Sequence, residues 1–253
     1  MAAGTDFVLD ALIREGLDHL FMVPGGLVDP FLPALARHPG LKPIVAAHEG
    51  GAAYMADGYA RASGRFGVAL GIGGPGLCNM MTAVAAAKTD SSPVLILSGE
   101  IPVDMEGLGE FQDASQATLD DTAIMNPLTR LSTTVASGRN LNHWLRHGLT
   151  AMLSQPTGPV HLSLMHDALM ADCTAEYVPV SDFFTRVAPL SQEAAAHALD
   201  LVAGVKRIAI LAGAGVEHDS AAAALKAAAE RWSIPVATTL RANELSLGVF
   251  GYA

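Results

Sequence analysis

Cysteine is scarce in this chain of 253 residues. Cys78 and Cys173 are too few and too far apart to suggest a disulfide framework or a zinc site. Both read as small apolar residues, buried or half-buried, which fits a reducing, cytoplasmic compartment. Charge is sparse as well: 16% of residues are charged, and 15 Lys and Arg stand against 25 Asp and Glu for a formal net charge of -10. A nucleic-acid surface needs clustered cations, and no such cluster stands out along the chain. No apolar run is long enough for a membrane span. The opening MAAGTDFVLDALIREG carries acids early and has no basic flank before an apolar stretch, so it does not read as a signal peptide. Neither nucleic acid nor membrane is expected as a partner. No internal repeat or low-complexity tract appears.

Apolar residues are abundant, at 51% of the chain, and can bury a sizeable core. Their spacing alternates between helical and extended patterns. Thr5 is placed to cap a helix through Glu15, with Gly16 at its C-terminal end. HLFMV (19–23) is a short strand stopped by Pro24-Gly25-Gly26. A helix over Val28–Arg37 and a strand ending near Ala46–Ala47 follow. Gly50–Ser63 reads as a helix, FGVALGI (66–72) as a strand, and Leu77–Lys88 as a helix. PVLILSG (93–99) is unbroken apolar sequence, the mark of a strand buried on both faces. After a polar loop containing Glu100–Asp113, a strand near Arg130–Val135, a helix over Leu141–Leu153 and a strand GPVHLSL (158–164) complete the run.

Strands alternating with helices predict an α/β fold, a parallel sheet covered by helices on both faces. Residues 1–165 form this first domain. Residues 166–189, less periodic and containing Pro179 and Pro189, read as a linker. Residues 190–253 begin a second, Rossmann-like α/β unit: a helix over 192–202, a strand over 206–213, an Ala-rich helix over 220–231 and a strand over 234–240. Two strands with two helices close a parallel sheet poorly, so this unit is expected to be partial, with the chain a fragment or completed by another polypeptide.

The chemistry concentrates in HEGGAAYMADGYAR (48–61). Glu49 falls where a strand ends and an Ala/Gly-rich helix begins, so its carboxylate points into the crevice at strand C-termini where open α/β sheets bind ligands. Gly50, Gly51, Ala52 and Ala53 let another surface approach. Taken alone, Glu49 reads better as an acid favoured by the helix dipole. PGG (24–26) and GIGGPGLCN (71–79) could bring backbone against a flat ligand. The second loop lacks the Gly-Lys-Ser/Thr of a phosphate-binding P-loop, and its spacing fails the dinucleotide fingerprint; a tight strand-to-helix turn also explains it. His48 serves a structural role at the strand end or a catalytic one. His19, His143, His147 and His161 form no ligand spacing, and His161 reads as a satisfied core histidine. Met80 and Met81 read as packing.

LFMVPGG, HEGGAAYMADGYAR, GIGGPGLCN, KTDSSPVLILSGE, GEFQD (109–113), GPVHLSL, KRIAILAGAGV and the LGVFGYA ending, in this order, resemble the thiamine-diphosphate-dependent enzymes. Within them the resemblance is to the acetolactate synthase-like branch, and it covers essentially the whole chain. It implies a pyrimidine-binding domain followed by part of the central domain. It implies that Glu49 hydrogen-bonds N1′ of the aminopyrimidine and favours the tautomer that takes the thiazolium proton, starting decarboxylation of a 2-oxoacid or its ligation to an acceptor carbonyl. A largely apolar pocket around the carboxyl would help it share that proton.

The same resemblance implies that Pro24, Gly25, Gly74 and Asn79 shape the pyrimidine pocket, and that Phe111 and Gln112 line the substrate side; an ordinary exposed loop followed by an N-capped turn is the other reading of GEFQDAS. Asp113 stands where the pattern usually has Glu, so its role stays open. Some members hold FAD in the central domain; the LAGAGV turn (211–216) is explained equally by a Gly-rich strand-to-helix turn, so FAD also stays open. Between the RA and the LGVFG of TTLRANELSLGVFGYA (238–253), relatives usually carry a longer loop.

The family binds Mg²⁺ and the diphosphate through a Gly-Asp-Gly segment and a later Asn, and this sequence contains no Gly-Asp-Gly. No residue here is assigned as a metal ligand. The resemblance implies a homo-oligomer, dimer or tetramer, with the cofactor at the protomer interface and this chain supplying one wall, inactive by itself. Two alternatives stand beside it: the pyrimidine-binding subunit of a split 2-oxoacid decarboxylase, and a non-catalytic nucleotide-binding α/β protein.

Overall fold

In each long strand, odd- and even-numbered residues part to opposite faces, the two-residue period of a pleated sheet. The computed structural model describes residues 2–184, 191–218, 221–239 and 242. The chain divides into two compact units, residues 1–184 and 185–253. In the first, the elements run β1 (Ala2–Ala3), α1 (Gly4–Arg14), β2 (His19–Met22), α2 (Phe31–Arg37), β3 (Lys42–Val45), α3 (Glu49–Ser63), β4 (Gly67–Ile72), α4 (Pro75–Thr89) and β5 (Val94–Glu100). They continue through α5 (Asp121–Met125), β6 (Ser132–Val135), α6 (Gly138–Leu153), β7 (Val160–Met165), α7 (His166–Met170) and β8 (Asp172–Cys173). Six strands form one parallel sheet in the order β3-β2-β4-β5-β7-β6. This is the α/β architecture that the alternating pattern predicts.

Leu20, Met22, Val68, Leu70, Leu95, Leu97, Leu162 and Leu164 face a core closed by α1, α2 and α6. Phe21, Ala69, Val94 and Ile96 face the other core, closed by small residues of α3 and α4: Ala52, Ala53, Ala56, Ala83 and Ala87. Alanine there has a steric reason. A Cβ on Gly67 would lie 1.9 Å from the Ala56 carbonyl oxygen, so α3 sits nearly on the backbone of β4. All seven residues of β5 are buried, as its unbroken apolar sequence requires.

Several local expectations shift. Thr5 does not cap α1: the helix starts at Gly4 with Ala3 before it, and Thr5 is buried in the first turn. Tertiary contacts decide this start. Ala2 and Ala3 pair antiparallel with Cys173 and Asp172, and Gly4 N donates to Ala171 O at 2.9 Å. Gly16 does take the left-handed conformation expected of it, at φ +85°. The helix expected from Val28 begins at Phe31, because Val28 and Asp29 donate to Gly25 O in a preceding turn. Residues 171–184 pack on this unit through Cys173, Tyr177 and Val180. Tyr177 OH, Val180 N and Ser181 N all donate to the carboxylate of Glu15.

The second unit contains α8 (Gln192–Val202), β9 (Ile210–Ala212), α9 (Gly215–His218), α10 (Ala222–Trp232) and β10 (Val236–Thr238). β9 and β10 pair in parallel, Val236 opposite Ile210. Ala212 and Ala242 are buried among Val216, Ala222, Leu225 and Val236. Pro189, Ser220, Leu240 and the LGVFGYA ending lie outside the described residues. Among the described residues no helix is long and apolar enough to cross a membrane, and no three His, Cys, Asp or Glu side chains cluster as a metal site.

Candidate active site

The chain passes from β2 to β3 on one side and then crosses to β4 on the other, so the sheet order reverses between β2 and β4. Loops leaving the C-terminal ends of two strands diverge at such a point and open a crevice. The two loops there are Val23–Pro30 and Gly73–Gly74. Pro24 is exposed and Gly25 half-buried. Their packing needs glycine at three places. A Cβ on Gly25 would lie 2.7 Å from Ile72 Cγ2, one on Gly76 would lie 2.7 Å from Ile72 Cγ1, and one on Gly99 would lie 2.3 Å from Leu27 O. Ile72 thus wedges between the PGG turn and the start of α4.

Glu49 is the first residue of α3 and is half-buried. His48 caps this helix, its Nδ1 accepting from Gly50 N at 3.1 Å, so of its two sequence readings the geometry displays the structural one. The Glu49 side chain runs over Gly71 and Gly76: Cβ atoms there would lie 3.4 Å from its Cγ and 3.3 Å from its Oε1. Asn79 Nδ2 donates to Oε2 at 2.9 Å. Oε1 has no hydrogen-bond partner among the described residues. Glu49, Gly76 and Asn79 therefore meet in one place. Around the carboxyl lie the backbone of Gly71 and Gly76, the Asn79 amide, and the apolar side chains of Met80 and Ile72 that pack on those two glycines.

Gly74 has φ +59° and is buried; its N–H donates to Asp121 Oδ2 at 2.9 Å. It packs against Ala114, whose Cβ would be 3.6 Å from a Cβ on Gly74. That contact brings in the loop of Phe111 and Gln112. Phe111 is 79% exposed, the highest value among the large apolar residues described. Gln112 has φ +64°, a left-handed conformation that a residue with a side chain adopts only when its surroundings impose it. Asp113, left open by the sequence, ties this loop together: it accepts from Gly107 N at 2.7 Å, Ser115 N at 3.0 Å and Thr118 Oγ1 at 3.1 Å.

Two carboxyl groups escaped the sequence reading. Glu100 is not part of a polar loop; it ends β5 with 1% of its surface exposed, and Asp121 is equally buried. Burial, then the negative charges of Asp121 and Asp113, push the Glu100 carboxyl up to about 7 against hydrogen bonds from Ile101 N and Ala114 N. Burial pushes Asp121 up to about 6, against the bond from Gly74 N. An acid closing an unbroken apolar strand was the one available hint for Glu100; nothing local marks Asp121.

His161 is a satisfied core histidine, as read: it lies between Ser98 Oγ at 2.8 Å and Ser132 Oγ at 2.9 Å, and burial holds it down at about 3. Met80 is core, and Met81 packs against it. Cys173 is buried and Cys78 half-buried. His143 and His147 stack on α6 along a groove of about 440 Å³ that includes Arg139 and Arg146 and shares no residue with the Glu49 site. In the second unit, the LAGAGV turn joins β9 to α9, and Cβ atoms on Gly213 or Gly215 would meet nothing within 4 Å.

Comparison with known proteins adds a family. Residues 2–124 match the model described as thiamine pyrophosphate enzyme, N-terminal TPP binding domain, and residues 195–247 match the thiamine pyrophosphate enzyme central domain. The chain is 32% identical over 257 residues to glyoxylate carboligase of Escherichia coli O157:H7, covering 97% of this chain and 42% of that protein. It is 32% identical over 261 residues to the probable acetolactate synthase large subunit of Methanococcus aeolicus, covering 98% of this chain and 42% of the relative. With the corresponding Methanocaldococcus jannaschii protein the identity is 33% over 263 residues, covering 98% and 43%. The chain thus spans about two fifths of the length of these relatives.

Proposed function

Because the chain belongs to the thiamine pyrophosphate enzyme family, in its acetolactate synthase-like branch, we propose that it forms the aminopyrimidine-activating wall of an enzyme that decarboxylates a 2-oxoacid, ligates it to an acceptor carbonyl, or both. One observation carries the reading. Glu49 has one carboxyl oxygen held by Asn79 and the other without a partner among the described residues, beside two glycines at the sheet's switch point.

The residues present suit the cofactor's pyrimidine ring. A carboxyl group can hold a proton toward a ring nitrogen, and Gly71 and Gly76 let that carboxyl lie against backbone, beside the apolar Met80 and Ile72. When bound, thiamine diphosphate supplies the thiazolium electron sink that the chemistry needs. Glu49 Oε1 is assigned to N1′, where it holds the activating proton. Asn79 fixes the orientation of that carboxyl. Pro24, Gly25 and Gly74 shape the backbone of the crevice, and Phe111 and Gln112 face the substrate.

In this reading residues 1–165 bind the pyrimidine, 166–189 connect, and 190–253 contribute to the central domain. Mg²⁺ and the diphosphate are held by residues other than those described here. A second protomer completes the site in a cytoplasmic homo-oligomer. The exposed apolar residues Tyr54 and Met55 on α3 and Phe111 on its loop supply surface for such a partner.

The test is Glu49→Gln in the complete protein encoded by the gene, supplied with thiamine diphosphate, Mg²⁺ and a panel of 2-oxoacids. Proton transfer by a placed side chain contributes roughly 10²–10⁴-fold, so turnover should fall by about that factor while the fold persists. Undiminished turnover would remove Glu49 from the centre of the reaction.

A further inference from the structure

Behind the Gly73–Gly74 turn lies a buried acidic pair that the proposed reaction leaves unused. Glu100 and Asp121 reach it from the end of β5 and the first residue of α5. Both flank Gly73: a Cβ there would lie 3.0 Å from Asp121 Oδ2 and 3.5 Å from Glu100 Oε2. The surrounding hydrogen bonds close a ring. Gly73 N donates to Gly99 O at 2.8 Å, Gly74 N to Asp121 Oδ2 at 2.9 Å, Asp121 N to Ala114 O at 3.0 Å, and Ala114 N to Glu100 Oε1 at 3.3 Å. Ala114 is two residues beyond Gln112. The ring therefore fastens the loop of Phe111 and Gln112 to the turn that leads into Gly76 and Glu49.

One oxygen of each acid, Glu100 Oε2 and Asp121 Oδ1, is buried without a hydrogen-bond partner among the described residues. Neither acid has an ion-pair partner there. The titratable groups that act on the pair are Asp113 from the loop and Asp120 at the start of α5, while Asp121 in turn raises the Cys78 thiol on α4; none is a cation. Two buried carboxylates with no cation are costly, and the cost is relieved by keeping a proton.

We propose that Glu100 and Asp121 are positioning residues that retain a proton between them and so latch the loop of residues 101–120, with Phe111 and Gln112, onto the Gly73–Gly74 turn. Loss of that proton leaves two like charges in one buried space, and the loop, the less buried partner, gives way. The raised ranges of both acids put the release between about pH 6 and 8. The consequence for substrate rests on the proposed function; the latch itself does not.

Two measurements separate them. Hydrogen–deuterium exchange of peptides within 101–120, corrected for intrinsic rates, needs neither cofactor nor turnover. Between pH 6 and 8 exchange of the wild-type loop should speed up at least tenfold, while Glu100→Gln, which keeps the shape without the charge, should vary less than twofold. Asp121→Asn gives an independent second variant with the same expectation. A loop whose exchange is flat in the wild type, or equally pH-dependent in both variants, overturns the latch.

In the complete enzyme, KM for the 2-oxoacid should rise about fivefold from pH 6.5 to 8 at steady kcat, and Glu100→Gln should abolish the rise. A pH-responsive loop with an unchanged KM profile overturns the positioning role. Absence of thiamine diphosphate binding at any pH, with a pH-responsive loop, would instead count against the proposed function and leave the latch standing.

Discussion

Asn79 donates its side-chain amide to Glu49 Oε2 at 2.9 Å, joining the first residue of α3 to the second turn of α4. The close approach of the two helices makes the bond reachable: a Cβ on Gly50 would lie 2.8 Å from the Asn79 carbonyl oxygen. Asn79 is exposed, so its removal should hardly change stability. It should release the carboxyl from one orientation. A hydrogen bond to a charged group is worth about 1.5–3 kcal/mol when protected, and less in contact with water. Asn79→Ala should therefore weaken thiamine diphosphate binding to the complete protein by roughly five- to tenfold, read by titration calorimetry, with an unchanged unfolding midpoint. Equal affinity would show that Glu49 orients itself.

Gly76 tests the wall rather than the acid. Alanine there brings a methyl to 2.7 Å from Ile72 Cγ1 and 3.3 Å from Glu49 Oε1. Ile72 already packs closely on the backbone of the PGG turn, its Cγ2 standing where a Cβ on Gly25 would be 2.7 Å away, so it has little room to yield. Gly76 is the second residue of α4, so alanine gains less helix propensity there than the about 1 kcal/mol of a helix interior, offsetting a small part of the strain. Gly76→Ala should thus stay folded and lose about tenfold or more in cofactor affinity. Gly67→Ala is the contrasting case. Its methyl would meet the Ala56 carbonyl oxygen at 1.9 Å, and overpacking against backbone should cost about 3 kcal/mol in denaturant unfolding. Similar behaviour of the two variants would mean that the Gly76 contact is structural only.

The sequence was readable where one stretch of residues determines the outcome. The apolar run of β5, the start of α3 beside His48 and Glu49, and the Gly-rich turn after β4 each have a local cause, and each is found in place. It was unreadable where the cause is distant. Ala3 rather than Thr5 precedes α1 because residues 171–173 hold the chain there. Glu100 is buried because Ala114 and Gly73 close over it. Ile72 becomes a wedge only through glycines at 25 and 76. At the site, Glu49 and Asn79 could be named one by one, but not the bond between them.

Glu15 ends the first helical segment and binds a stretch more than 160 residues later, accepting from Tyr177 OH, Val180 N at 2.6 Å and Ser181 N at 3.1 Å. Burial, followed by this hydrogen bond, pushes the Tyr177 hydroxyl up, so it remains a donor at any physiological pH. Glu15→Ala would strand three donors, two of them on buried residues. The expected loss is about 2 kcal/mol, with new protease cleavage within 174–184 and unaltered exchange around Glu49. Cleavage no faster than in the wild type would show that the apolar contacts of Tyr177 and Val180 suffice to hold the segment.

His161 and the acidic pair should pull stability in opposite directions with pH. His161 is fully buried, and its folded value of about 3 lies below the unfolded 6.5, so the unfolded chain binds more protons between these values. Its contribution therefore rises with pH across about 3 to 6.5. Glu100 and Asp121 are raised, to about 7 and about 6 from 4.5 and 3.8, so there the folded chain binds more protons. Their contribution falls as pH climbs from about 4 to 7. In the wild type the slopes partly cancel, and urea unfolding should show a shallow maximum. A glutamine at 161 is neutral throughout and can still bond Ser98 and Ser132. His161→Gln should remove the rising arm, on the order of a few kcal/mol for a buried group shifted this far, so that stability declines steadily from pH 4 to 7. A variant with the wild-type pH profile would mean that the imidazole takes up its proton without unfolding the sheet, and that Ser98 and Ser132 can accommodate the charge.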